Sequence, residues 1–264
     1  MTMEFDEHAR KQLLSEYIPC DYSDVMPHEM TVKEISCVTA RGYIATFHYS
    51  RTMPDSSRYI YGLFAKNRLV GVCVFGMGCG KNQYTAVYKD IQNGEYIELT
   101  RLWCEDTLPK NSESYFISRC LKLLPKEIKL VISFSDTKQS HVGYIYQATN
   151  WIYLGINKGG KMLVNKDGYE AHPRLLGIYR MRHPELKSRD NESLMNLLGL
   201  RYVAGGAKHK YIFIRDKKLK KALHIEPLPY PKGDTKNTDN MQMLKEQQVN
   251  LQMALFLDDL EVVG

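Results

Sequence analysis

Residues 98–153 read ELTRLWCEDTLPKNSESYFISRCLKLLPKEIKLVISFSDTKQSHVGYIYQATNWIY. The run from Glu95 to Trp103 is mostly apolar and predicts a strand. Pro109-Lys110-Asn111-Ser112 predicts a turn, and Ser112 opens a helix to Leu124, because Phe116, Ile117, Cys120, Leu121 and Leu124 recur at helical spacing. Pro125 stops that helix. Ile128 to Phe134 is dense in β-branched residues and predicts a buried strand, ended by Ser135-Asp136. A second helix follows over roughly residues 142–150. Strand, helix, strand, helix is the order of an α/β or α+β fold, with a central mixed sheet flanked by helices.

The same stretch gathers Arg101, Asn111, Ser112, Glu113, Ser114, Asp136, Ser140, His141 and Tyr146 where these elements begin and end. Polar groups at the edges of a rigid scaffold predict a site. A helix start presents unpaired amides to an anion, so Asn111, Ser112 and Ser114 could hold a phosphate, with Arg101 as a clamp. Ser112 also fits a helix cap. Asp136 follows a buried strand directly, where open α/β sheets bind ligands, and could accept a proton or hold an amine; it too could be a cap. Tyr146 could donate a proton or simply pack.

Outward from this core, residues 8–17 predict a short helix, and residues 31–38 and 42–48 two strands. Tyr59 to Ala65 and Leu69 to Phe75 flank Lys66-Asn67-Arg68, a tight hairpin in which Asn tolerates a positive φ. Residues 151–155 and 161–164 predict another strand pair, and His209 to Arg215 a closing strand. Residues 166–207, with helices near 173–181 and 190–199, predict a basic insertion before that strand. The reading is one domain over residues 1–227. A linker and an amphipathic segment (residues 241–260) occupy 228–264.

From Gly155 to Ile225 the chain holds 16 Lys or Arg against 6 Asp or Glu, a net +10, interleaved with Tyr169, Tyr179, Tyr202, Tyr211 and Phe213. Density of this kind favours a polyanion, since each neutralised phosphate releases counterions. Lys158, Lys161, Arg174, Arg180, Arg182, Lys187, Lys208 and Lys210 are the expected contacts to nucleic acid, which the family resemblance given next makes double-stranded DNA. The chain has no apolar run near the roughly 20 residues that cross a bilayer, and its first residues lack a signal-peptide core, so a cytoplasmic, membrane-free protein is expected. Its six cysteines are scattered without metal spacing and are expected to be reduced.

ELTRLW…PKNSESYF followed by SFSD…HVGYIYQATNWIYLG resembles the Mom family of phage DNA-modification proteins, on a GNAT-like acyltransferase fold. The resemblance covers residues 59–155 well and the closing strand loosely. It implies conversion of adenine in DNA to N6-carbamoylmethyladenine, which shields phage DNA from host restriction. It also implies action in the host cytoplasm if the chain is phage-encoded. Arg101, Ser114, Asp136 and Tyr146 are the residues it implicates in catalysis. Acetyl-CoA or another acyl or glycyl donor is implied, and a redox step, with iron among the metals to consider. The chain departs from the fold's Q/R-x-x-G-x-G/A pyrophosphate loop, for which TLPKNS (residues 107–112) stands in. Two other readings remain open: an N-acetyltransferase of small amines or proteins, and an inert DNA-binding module. The sequence leaves the metal ligands and the oligomeric state open, a dimer included.

Overall fold

The computed structural model describes residues 2–18, 20–50, 52–137, 142–166, 170–171, 174–221, 223 and 225–232. Ser140, His141 and the segment 241–260 lie outside the described residues, as do the side chains of Arg174 and Arg182.

Seven strands form the main sheet: β1 (Thr31–Glu34), β2 (Ser57–Ala65), β3 (Arg68–Gly76), β4 (Tyr96–Cys104), β5 (Leu130–Asp136), β10 (Lys208–Ile214) and β6 (Ile152–Asn157), in that spatial order. All neighbours are antiparallel except β4 and β5. The β2–β3 hairpin turns on Lys66 and Asn67, with φ of 48° and 62°. Two consecutive left-handed residues match the right-handed twist of the strands they join.

Helix α4 (Ser112–Leu123) crosses from β4 to β5 and buries Phe116, Ile117, Cys120 and Leu121 against one face of the sheet, where Ile97, Leu99 and Val131 lie. The short α5 (Tyr144–Ala148) adds Tyr146 to the same layer. The opposite face is covered by α2 (Cys37–Phe47), itself packed on α1 (Thr2–Glu16), and by α3 (Asn82–Thr85) and α8 (Lys217–Lys221).

A second sheet of three strands, β8 (Glu170–Ala171), β7 (Lys161–Val164) and β9 (Arg201–Ala204), carries α6 (Arg174–Arg182) and α7 (Asn191–Leu197). Leu163, Leu176, Leu194 and Leu200 make its separate small core. The chain leaves the main sheet after β6 and returns at β10, so this unit starts at Lys161, ahead of residue 166.

Two expected elements are corrected. Residues 42–47 are helical, because Ser36 Oγ caps the amide of Thr39 at 3.0 Å and Ala40 and Ile44 bury one turn apart. The β propensity of Tyr43, Ile44 and Thr46 yields to a cap and a buried helical stripe. Residues 151–155 and 161–164 do not pair with each other: β6 bonds to β10, and β7 founds the second sheet. Among the described residues no helix is long and apolar enough to cross a membrane.

Candidate active site

Among the described residues the main sheet has one parallel junction, and it is short. β4 and β5 pair from Tyr96↔Leu130 to Leu99↔Ser133. Beyond that, β4 continues beside β3 to Cys104, while β5 continues beside β10 to Asp136. The strands part at their C-terminal ends and open a wedge in the middle of the sheet. Because α4 starts after β4 and returns the chain to β5, its N-terminus lies at that same end.

Tyr146 reaches the apex of the wedge. Its hydroxyl lies 2.8 Å from Ser133 Oγ, and Ser133 Oγ donates to the Leu99 carbonyl at 2.9 Å. The Tyr146 ring is held between Trp151 and Tyr211 at centroid distances of 5.0 and 5.1 Å. Gly143, at φ 79°, starts α5 directly against the Tyr211 ring, so a side chain there would collide with it. Burial raises the pKa of the Tyr146 phenol, which stays protonated.

The β3–β4 register slips between Val74↔Arg101 and Phe75↔Leu99, which makes Thr100 the extra residue of a bulge. The slip inverts the usual alternation, so Glu98 and Arg101, three apart, face the same side and interact electrostatically. Arg101 donates to the carbonyls of Thr52 and Thr100, at 2.9 and 2.7 Å, and so ties the loop before β2 to the rim of the wedge. Glu98 is half-buried beside Cys79, and its Oε2 is enclosed with no partner among the described residues. Burial raises its pKa, opposed by the thiol and amide of Cys79 and by the charges of Arg101 and Lys208.

Asp136 is buried at the end of β5, 5% exposed, and is paired in register with Lys208, which is paired in turn with Asn157 of β6. Paired residues point to one face, so Asn157, Lys208 and Asp136 form a row across three strands, on the Glu98 side. The structure therefore splits the four expected catalytic residues. Arg101 and Asp136 lie on one face, and Tyr146 enters from the other. Ser114 lies in the first turn of α4.

The start of α4 differs from its expected form. Asn111, at φ 73°, precedes the helix and no side chain caps it. Ser112 Oγ donates back to the Pro109 carbonyl at 2.7 Å, and Ser114 Oγ to the Asn111 carbonyl at 3.0 Å. Ser112 is thus not the cap, and an anion here would meet main-chain amides before hydroxyls.

Among the basic residues, Lys158, Lys161 and Lys187 are exposed, and Lys158, Lys161 and Lys208 line one cavity. Arg180 is half-buried and bonded to the Arg189 carbonyl and Asn191. Lys210 corrects the expectation of a DNA contact: it is 7% exposed, its ammonium donating to the carbonyl and side-chain oxygens of Gln83. Lys208 and Lys210 share one face of β10; Lys208, at the start of the strand, stays half-exposed, while Lys210, further along, lies under α3. Among the described residues no group of three or more His, Cys, Asp or Glu is placed to hold a metal ion, so the expected iron gains no site.

Glu98, Ser133 and Asn157 were not singled out by sequence. A charged residue in YIELTRLW and a serine in LVISFSD, both in otherwise apolar strands, were the available signals.

The fold resembles that of an acetyltransferase of the GNAT family from Elizabethkingia anophelis with acetyl-CoA bound, at TM-score 0.40 and 11% identity over 70% of this chain and 97% of that one. It also resembles an N-acetyltransferase from Staphylococcus aureus Mu50, at TM-score 0.39 and 8% identity over 70% and 98%. In sequence, the chain is 30% identical over 213 residues to the methylcarbamoylase mom of Escherichia phage Mu, covering 77% of this chain and 84% of the phage protein. The model of the Mom protein family matches residues 29–232, and the chain belongs to that family.

Proposed function

We propose that this chain is a DNA-modifying transferase that places a carbamoylmethyl group on the N6 amine of adenine and thereby protects the DNA that carries it from restriction. The observation that carries this reading is the 30% identity to a protein named methylcarbamoylase across 84% of its length. The basic second sheet and its flanks supply the surface for the DNA backbone. The N6 amine of a stacked base is out of reach of a recessed site, so the target base is extruded into the protein.

In the reaction the N6 nitrogen forms a bond to the methylene carbon of a donor X–CH2–CONH2. It loses one proton, and X leaves with the bonding pair. Asp136 orients the amine and takes the proton. Tyr146, held protonated at the wedge apex, gives its proton to the departing group. Arg101 and the start of α4, Asn111 to Ser114, hold the donor side. Acetyl-CoA lacks a CH2–CONH2 group and is not this X–CH2–CONH2 donor; it serves as the probe for a coenzyme A site and as the donor of the alternative acetyl transfer. Plain acetyl transfer would leave N–CO–CH3, a different connectivity from N–CH2–CO–NH2, so product analysis separates the two.

The experiment is to express the chain in cells, digest their DNA and identify nucleosides by mass spectrometry. Carbamoylmethylated deoxyadenosine is the expected product. Unmodified DNA alongside newly acetylated amines would replace the reading with an N-acetyltransferase, and no product of either kind would leave a binding module.

A further inference from the structure

The chain crosses between its two sheets twice, and the crossings touch. Gly205 donates its amide to the Gly160 carbonyl at 2.7 Å. A Cβ on Gly159 would stand 2.2 Å from the Gly205 oxygen, and one on Gly205 would stand 2.4 Å from that of Gly160. Only residues without side chains fit so close a crossing. Beside this neck is an open cavity of about 240 Å³ whose lining includes Phe134, Asn157, Met162 and the three lysines Lys158, Lys161 and Lys208, and among the described residues no carboxylate. A cavity of about 150 Å³ admits benzene, so this one has room for a purine ring system.

The lining offers three chemistries at once. Phe134 presents an aromatic ring at the edge of the β5 face. Asn157 carries a donor and an acceptor on one amide, the pair that matches the N6/N7 edge of adenine. The ammonium groups suit a phosphodiester. Lys208 stands in register with both Asn157 and Asp136, so a purine held by Asn157 lies beside the row that ends at Asp136.

We propose that this cavity seats the extruded nucleotide of the DNA. Its base lies on Phe134, Asn157 reads the purine edge, and Lys158 with Lys208 holds the adjoining phosphate. The proposal rests on the DNA-modifying function above and adds the seat of the substrate to it. The other source of an adenine nucleotide is the adenosine diphosphate part of coenzyme A, and the test separates the two.

Full-length wild type, Asn157→Ala, Asn157→Asp and Lys158→Ala are compared for modification rate, for duplex DNA affinity across salt concentrations, for acetyl-CoA affinity and for thermal unfolding. Asn157→Asp keeps the side chain's shape and removes its donor, so the test survives if Asn157→Ala does not fold. Both Asn157 variants are expected to modify DNA roughly tenfold or more slowly, and Asn157→Ala, which adds no charge, with an unchanged salt slope. Lys158→Ala is expected to lower the log–log salt slope by about 0.9, the loss of one phosphate contact. Variants that modify DNA at the wild-type rate with the wild-type slope overturn the seat and leave the function standing. Variants that lose acetyl-CoA affinity while keeping DNA affinity give the cavity to the cofactor and also overturn it. A wild type that makes no modified nucleoside overturns the function and the seat together.

Discussion

The hydroxyl of Tyr146 donates to that of Ser133. The two oxygens are 2.8 Å apart, and the single proton of Ser133 is committed to the Leu99 carbonyl, so the proton between them belongs to Tyr146. Leu99 and Ser133 are also the last pair of the β4–β5 ladder. The phenolic proton therefore stands where the sheet opens.

Tyr146→Phe removes that proton with little change to the packing of the ring. Ser133 keeps its bond to Leu99, so no buried group is orphaned and stability should change by about 1 kcal/mol or less. If Tyr146 protonates the leaving group, the modification rate should fall roughly 10²- to 10⁴-fold. Thermal melting and a timed nucleoside assay check both halves. An unchanged rate would reduce Tyr146 to packing.

Asp136→Asn keeps the size of the side chain at the end of β5 and removes its basicity. The expected result is loss of modification by roughly 10²-fold or more, the contribution of a positioned base, with duplex affinity retained. Filter binding alongside the nucleoside assay distinguishes this from a DNA contact. If affinity fell in step with activity, Asp136 would be holding DNA instead of acting on it.

Periodicity and turn chemistry made much of the scaffold legible. The Lys66-Asn67 turn, α4 with its stripe of Phe116, Ile117, Cys120 and Leu121, and the buried β5 all follow from local sequence. Residues 42–47 carry β propensity that the Ser36 cap and the buried Ala40–Ile44 stripe override, so local propensity misleads there. The partner of β6 was beyond local reading, since β10 lies some fifty residues away and a long insertion separates them. The site was half legible for a related reason. Arg101, Asp136 and Tyr146 sit at element ends that sequence can locate. The bulge at Thr100, which aligns Glu98 with Arg101, and the row through Lys208 and Asn157 exist only once strands are in register.

His209 predicts a pH dependence of stability. It is buried in β10 with Nδ1 2.7 Å from the Tyr153 hydroxyl, and burial lowers its pKa below 6.5. The unfolded chain then takes up a proton at a higher pH than the folded one. Stability from this group is fully present above 6.5 and is lost as pH falls through the depressed folded value. Melting temperature should decline on acidification from about pH 7 to about pH 5, and His209→Gln should flatten part of that decline. Identical profiles for the two proteins would show that other groups set the slope.

Glu98 runs in the opposite sense. Burial raises its carboxyl pKa above 4.5, so its contribution to stability is fully present below 4.5 and is lost as pH rises through the folded value. At neutral pH the buried carboxylate therefore opposes folding, and its Oε2 finds no compensating partner among the described residues. Glu98→Gln should be more stable than wild type near pH 7, and the advantage should vanish near pH 4, a comparison that urea unfolding at the two pH values makes directly. A variant that is less stable at both would mean that Glu98 is well paired in the fold. The activity of the same variant then decides why a chain keeps such a group. Ionisable side chains with strongly shifted pKa values collect at working sites, and Glu98 shares its face with Arg101, Lys208 and Asp136. A Gln variant that is stabilised and slow in modification would place Glu98 in the site's machinery. One that is stabilised and fully active would make it a cost of the bulge that aligns Arg101.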